Sequence, residues 1–122
     1  MALALTVDLG SPSKEAVQAL IEGLTLVNQV VMRQSGKRWP SLRAAGVRYR
    51  RTDSWQVCGM LLARKYGDCK DLVAYGAARL RELGHRVTIR LTRTDSTWHV
   101  QIRLPDGRVF DPSRELGMRG AA

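Results

Sequence analysis

Gly67-Asp68-Cys69-Lys70-Asp71-Leu72-Val73-Ala74-Tyr75-Gly76-Ala77-Ala78-Arg79-Leu80-Arg81-Glu82-Leu83-Gly84 is the stretch on which the reading of this chain turns. Asp68 suits an N-cap, because its carboxylate can accept from the unpaired N–H groups of a first helical turn. Gly84 suits the left-handed residue that commonly ends a helix. Between them Leu72, Val73, Gly76, Leu80 and Leu83 recur at spacings of three and four, which predicts a one-sided helix over 69–83. Cys69 then takes the first helical position, at the positive end of the dipole. A thiol has an ordinary pKa of about 8.5 and reacts as the thiolate, so a helix N-terminus and nearby basic residues should lower that pKa. The Cys69 backbone N–H is placed to stabilise an oxyanion on an acyl group bonded to the sulfur. Gly67 is expected to leave room for a substrate backbone. The bland alternative, a small buried residue opening an amphipathic helix, loses ground only because a His and an Asp stand further along the chain.

After Gly84 the pattern changes from helical to alternating. Val87, Ile89 and Leu91 interleave with Arg86, Thr88, Arg90 and Thr92, a half-buried strand. Thr94-Asp95-Ser96 is turn chemistry. Trp98, Val100, Ile102 and Leu104 then alternate with Thr97, His99, Gln101 and Arg103. Pro105-Asp106-Gly107 suits a three-residue hairpin loop, Pro opening a type I turn and Gly taking the left-handed bulge position. Arg108-Val109-Phe110-Asp111 returns as a third strand, stopped by Pro112. Such a loop pairs Leu104 with Arg108, which sets Asp111 opposite Gln101 and on the same face as His99. The two are diagonal neighbours, about 7–8 Å apart at the backbone and within reach of longer side chains. The alternation, however, puts His99 on the polar face, whereas a flat sheet would pack the cysteine helix on its apolar face. Strong curvature, or a helix N-terminus abutting the other face, would remove the conflict.

Cys69, His99 and Asp111 thus stand in the order nucleophile, base and orienting acid. An imidazole next to a thiol favours the thiolate, and a carboxylate fixes the imidazole's tautomer. Gly-Asp-Cys-x-Asp opening a helix that ends Leu-Arg-Glu-Leu-Gly, then a strand His and an Asp-Pro, resembles the transglutaminase-like superfamily. The nearest pattern within it is the bacterial transglutaminase-like cysteine proteinases, which also carry an upstream Trp-Gln pair, here Trp55-Gln56. The likeness spans roughly residues 53–113. It implies an α+β fold with a papain/transglutaminase-like core, the cysteine helix packing on an antiparallel sheet of at least three strands. It also carries Cys69, His99 and Asp111 over as the catalytic triad. Gln56 or the Trp55 indole is the choice for a second oxyanion donor, since both types carry a side-chain N–H. Asp68 reads as a helix cap and Asp71 as a first-turn acid matched to the dipole.

The remaining sequence fits one domain over 1–122, with an N-terminal helical region (1–36) and a catalytic core (53–113). Ser11-Pro12-Ser13 starts a helix running to about Gln34, with Val17, Leu20, Ile21, Leu24, Val27, Val30 and Val31 as its apolar stripe. That stripe should pack over the sheet or the cysteine helix; the alternative is a dimer or assembly face. Lys37 to Thr52 reads as a polar loop with a short extended piece at Val47-Arg48-Tyr49-Arg50. Ser54 is expected to cap a short helix through Ala63, with Cys58 as core packing rather than the redox partner of Cys69. His85 reads as a surface or C-cap residue, and residues after Pro112 as a loose tail. Two cysteines and two separated histidines give no metal pattern, so no metal or cofactor is expected. The start of the chain lacks the pattern of a signal peptide and no stretch reads as a membrane span, so the expected location is the cytoplasm, or a virion if the chain is phage-encoded.

Net charge is +9, with Lys37, Arg38, Arg43, Arg48, Arg50, Arg51, Arg64 and Lys65 crowded before the cysteine. Such a field favours anionic partners, but no nucleic-acid motif accompanies it and few aromatics are present for base stacking. A generally solvated basic surface is the simpler reading, with an acidic partner or a larger protein assembly as the alternative. Three functions stand open. The first is a cysteine hydrolase (protease or amidase) cutting peptide or isopeptide bonds in a protein or peptide substrate. The second is an amine-accepting transferase of the transglutaminase type. The third is a non-catalytic structural or assembly module such as a phage-particle component.

Overall fold

The Ser13 hydroxyl accepts from the Ala16 N–H at 3.2 Å and so begins α1 (Lys14–Ser35), which Gly36 ends at φ 65°. The computed structural model describes residues 12–94 and 97–118. After α1 come β1 (Arg48–Tyr49), α2 (Cys58–Arg64), β2 (Tyr66–Gly67), α3 (Cys69–Glu82), β3 (Thr88–Thr94), β4 (Thr97–Arg103), β5 (Val109–Phe110) and α4 (Pro112–Glu115). β3, β4 and β5 form an antiparallel sheet in that order, and β1 pairs with β2 in parallel. The fold is α+β, with α3 packed against the three-stranded sheet. No helix among the described residues is long and apolar enough to cross a membrane.

α3 runs over 69–82, close to expectation, but its burial is two-sided. Val73 and Ala77 face Ile89, Leu91, Val100 and Ile102 of the sheet together with Ile21 of α1. Leu72, Tyr75 and Ala78 face a second cluster with Met32, Trp39, Val47, Leu61 and Leu116. Small residues make this possible: a Cβ on Gly76 would stand 3.1 Å from Ile102 Cδ1, so the sheet approaches the helix backbone there. Leu83, expected on the apolar face, is 52% exposed.

The stripe expected on α1 is also corrected. Its buried residues are Ile21, Thr25, Asn28 and Met32, while Val27 and Val30 lie exposed. Polar chemistry turns the helix. Thr25 donates its hydroxyl to the Ile21 carbonyl at 2.8 Å, and Asn28 Oδ1 accepts the Cys58 N–H at 2.8 Å. That second bond caps α2 from another helix: α2 begins at Cys58 rather than after Ser54, and Val57 in the N-cap position offers no side-chain acceptor of its own. Cys58 is fully buried, and both cysteines are free thiols.

The segment read as a polar loop contributes Trp39, Leu42 and Val47 to the core. Tyr75 meets the Trp39 ring edge-on at 6.4 Å and donates to the Pro40 carbonyl at 2.6 Å. Burial pushes the Tyr75 phenol up to about 12, so it stays a donor. The expected loose tail is likewise ordered through residue 118. Pro112 follows the third strand as expected and also opens α4; Pro112, Ser113 and Leu116 are buried, and the Leu116 carbonyl accepts the Tyr49 N–H at 2.9 Å. Asp95 and Ser96, read from the sequence as turn residues, and residues 119–122 lie outside the described residues.

Candidate active site

β4 pairs with β3 along its whole length but with β5 only at Ile102 and Arg103. Residues 97–101 of β4 therefore pair on one flank alone, and the site is built along the other. The hairpin closes as the loop chemistry requires: Leu104 N–H donates to Arg108 O at 2.8 Å, Gly107 N–H to Leu104 O at 2.9 Å, and Gly107 sits at φ 91°. Its register, continued one step past Ile102↔Phe110, sets Asp111 beside Gln101. The third strand stops at Phe110, one residue short of expectation, because Asp111 leaves the ladder to cap α4. Asp111 Oδ1 accepts the Arg114 N–H at 3.3 Å. Its other oxygen, Oδ2, lies 2.8 Å from His99 Nε2 and 3.2 Å from Gln101 Nε2.

Burial opposes ionisation of Asp111, but hydrogen bonds from His99, Gln101 and the Arg114 N–H outweigh it and hold its carboxyl below the usual carboxylate range. An ionised carboxylate can only accept, so the proton on this bond belongs to His99 Nε2, which leaves Nδ1 as the basic nitrogen of the neutral ring. Because the folded-state pKa is depressed, the unfolded chain binds this proton more readily. Asp111 contributes stability at pH above its unfolded value of about 3.9, and the contribution is lost as pH falls through the folded value. In Asp111→Asn the acid limb of a urea-midpoint-versus-pH curve should therefore be shallower than in the wild type.

Cys69, at the N-terminus of α3, packs in the cluster that includes Val100 of β4. The Cys69 sulfur packs among the apolar residues under the sheet, and the backbone N–H groups of Val100 and Lys70 act on it in favour of the thiolate. The sulfur thus packs with the apolar face of the sheet, while His99 alternates with Val100 and belongs to the polar face, so the conflict over faces is met only at the backbone of β4. Two groups oppose the thiolate: burial first, then the Asp68 carboxylate. They outweigh the two N–H groups and the Lys70 charge, so the thiol is pushed up, not down as the helix N-terminus alone would predict. The His99 ring is not among the groups acting on the thiol. At rest the imidazole is committed to Asp111.

The upstream segment supports α3 more than it faces the sulfur. A Cβ on Gly67 would come within 2.7 Å of Leu61 Cδ1 and 3.0 Å of Asp71 Cβ, so the room it leaves is filled by those side chains and not by a substrate. Asp71 is fully buried. Its carboxylate accepts from the Gln56 N–H at 2.9 Å, Gln56 Nε2 at 3.2 Å and the Asp68 N–H at 3.4 Å. Gln56 Nε2 also donates to the Tyr66 carbonyl at 2.8 Å, which engages both amide hydrogens within the core and leaves neither directed at an oxyanion. Trp55 is 41% exposed, and the Lys70 ammonium lies 5.4 Å from its ring centroid. Lys70 also binds both Asp68 oxygens at 2.8 Å and the Thr52 carbonyl at 3.2 Å.

Two neighbours of the site were not among the candidates. Tyr49 pairs with Gly67 across β1 and β2, two residues before the cysteine. Its ring packs against the cluster of Leu61, Leu72 and Tyr75, and its phenol is pushed up by burial first and then by Cys69 and Asp68, with Arg51 opposing. Nothing local in Val47-Arg50 signals this; the parallel pairing alone creates it. Gln101 could have been found, because it lies two residues from His99 on the same face of one strand. Among the described residues no three His, Cys, Asp or Glu side chains converge as metal ligands would. Comparison with protein-family models, curated proteins and solved structures gave no match.

Proposed function

We propose that this chain is a cysteine-nucleophile acyl-transfer enzyme with a papain/transglutaminase-like core, working as a hydrolase of peptide or isopeptide bonds. The observation that supports this reading best is the His99–Asp111 bond of 2.8 Å beside a helix whose first residue is a cysteine. Cys69 also packs in the cluster that contains Val100, the neighbour of His99 in β4. The thiol pKa is raised, so the nucleophile is made during the reaction. In that scheme the imidazole turns toward the sulfur, as catalytic bonds tighten on substrate binding. Nδ1 takes the thiol proton as the sulfur bonds to the carbonyl carbon. The oxyanion accepts from the Cys69 N–H. The C–N bond then breaks, and the leaving amine takes the proton from Nδ1. A water loses its proton to Nδ1 and attacks the thioester; the acid departs and the sulfur recovers its proton.

The test is mass spectrometry after exposure to a peptide-derived acylating probe at neutral pH. Acylation should appear at Cys69 and not at the fully buried Cys58, and His99→Ala should slow it by about 10² or more, the range of a lost general base. Release of free acid identifies water as the acceptor, whereas an amide formed with added amine identifies a transferase. Equal labelling of the two cysteines, unaffected by His99→Ala, would overturn the enzymatic reading.

A further inference from the structure

Gln101 and Arg90 make no contact with the sulfur, yet their geometry bears on the triad. Arg90 and Gln101 are direct cross-strand partners in β3 and β4, and Arg90 Nη1 donates to Gln101 Oε1 at 2.7 Å. A guanidinium can only donate, so this bond decides which way the Gln101 amide points. The oxygen must face Arg90, and the Nε2–H must face Asp111 Oδ2, where it is found at 3.2 Å. We infer that Arg90 and Gln101 are positioning residues that fix the charge and orientation of Asp111, and through it the ring of His99. The inference rests on the proposed role of the His99–Asp111 pair.

Competition for the Asp111 oxygens, and the direction of each bond, produce this effect. Asp111 Oδ2 is shared by His99 Nε2 and Gln101 Nε2, while Oδ1 is held by the Arg114 N–H. Three donors on one carboxylate leave it a single orientation, in which the imidazole is aimed by the bond it makes. Without Arg90 the Gln101 amide is free to turn and present its oxygen to Asp111, replacing attraction by repulsion. The titratable group facing this carboxylate is His99 on β4 and the charged one is Arg114 on α4, 3.9 Å from Oδ2. Arg90 reaches it from β3 only through Gln101. Thr92, opposite His99 in the ladder, adds a weak 3.5 Å hydroxyl bond to the His99 carbonyl and contributes no charge.

The experiment follows the Asp111 carboxyl by carbon NMR through a pH titration, in the wild type, Gln101→Leu, Arg90→Leu and Arg90→Lys. Gln101→Leu should move the Asp111 titration to higher pH, and Arg90→Leu should move it the same way although that residue does not touch Asp111. Arg90→Lys, which keeps a donor-only cation, should remain near the wild type. In the acyl-transfer assay the two leucine variants should lose about 10- to 100-fold in kcat with KM nearly unchanged, the size expected when a catalytic group is misplaced by about 1 Å. Gln101→Glu is a second variant on the same position; a carboxylate there should raise the Asp111 titration further than Leu does. If Asp111 titrates alike in all five proteins, the inference is overturned. The NMR arm needs no turnover, so it stands or falls separately from the acyl-transfer reading.

Discussion

Asp111→Asn is expected to reduce turnover by about 10⁴, the cost of the comparable change in a serine triad, while the protein remains folded. The capping function survives the change, because asparagine is as good an N-cap as aspartate and can still accept the Arg114 N–H that Oδ1 accepts at 3.3 Å. What is lost is the anion 2.8 Å from His99 Nε2. An amide nitrogen turned toward the ring demands an acceptor there, which moves the imidazole proton to Nδ1, where the base is needed. Steady-state kinetics with a urea titration of the same preparation make the check. Full activity in Asp111→Asn, together with a dead but folded Asp71→Asn, would show that the other carboxylate orients the base.

The second large effect is on stability. Asp71→Ala should destabilise the fold by about 3 kcal/mol or more, because it strands buried donors that cost roughly 1–3 kcal/mol each when unsatisfied. The donors are the Gln56 N–H, the Gln56 amide and the Asp68 N–H that opens α3. The Lys70 ammonium, 3.7 Å from Asp71 Oδ2, loses one of two carboxylates but keeps Asp68 at 2.8 Å. Burial pushes the Asp71 carboxyl up, opposed by the Gln56 N–H and Lys70, so it is held in place by its partners rather than by solvent. Urea denaturation should show the lower midpoint at an unchanged slope. Gly67→Ala probes the same packing from the other side. Its Cβ would collide with Leu61 Cδ1 and Asp71 Cβ, and overpacking of this kind costs about 1–3 kcal/mol. A wild-type midpoint in both variants would mean that Asp71 is peripheral to the fold.

The contrast between these two aspartates shows what local sequence can and cannot resolve. Asp71 sits two residues from the cysteine and Asp111 far from it, yet the remote one binds His99. Hairpin chemistry at Pro105-Asp106-Gly107 made that legible, because a three-residue loop leaves only one register and the period of two then sorts faces. Asp71 was legible as a first-turn acid but not as a hub. Its partner Gln56 arrives from a segment with no local period, and the pairing depends on Gly67 being too crowded for any side chain. The apolar stripe of α1 misled for a related reason. Hydrophobic count favoured Val27 and Val30, which lie exposed, whereas Ile21, Val17 and Val31 of the expected stripe do pack, and the docking face is completed by Asn28, which satisfies the orphan N–H of Cys58.

Period, capping and turn chemistry in the sequence by themselves determined α3 with Cys69 at its first position, the β3–β4–β5 meander, and the placing of His99 and Asp111 on one face. Each of these depends on residues close together along the chain or joined by a short loop, where backbone geometry leaves few choices. Tertiary structure alone decided the protonation and the surroundings of the nucleophile. A helix N-terminus favours a thiolate whatever lies beyond it, but desolvation depends on everything that packs around the sulfur. Here burial between α3 and the sheet, with Asp68 alongside, outweighs the dipole and two N–H groups. The same holds for Tyr49, brought beside Gly67 by a two-residue parallel pairing, and for Arg90, whose hold on Asp111 passes through the Gln101 amide. Those contacts join segments distant in sequence, and their energies are set by the dielectric and the donors that folding assembles around them.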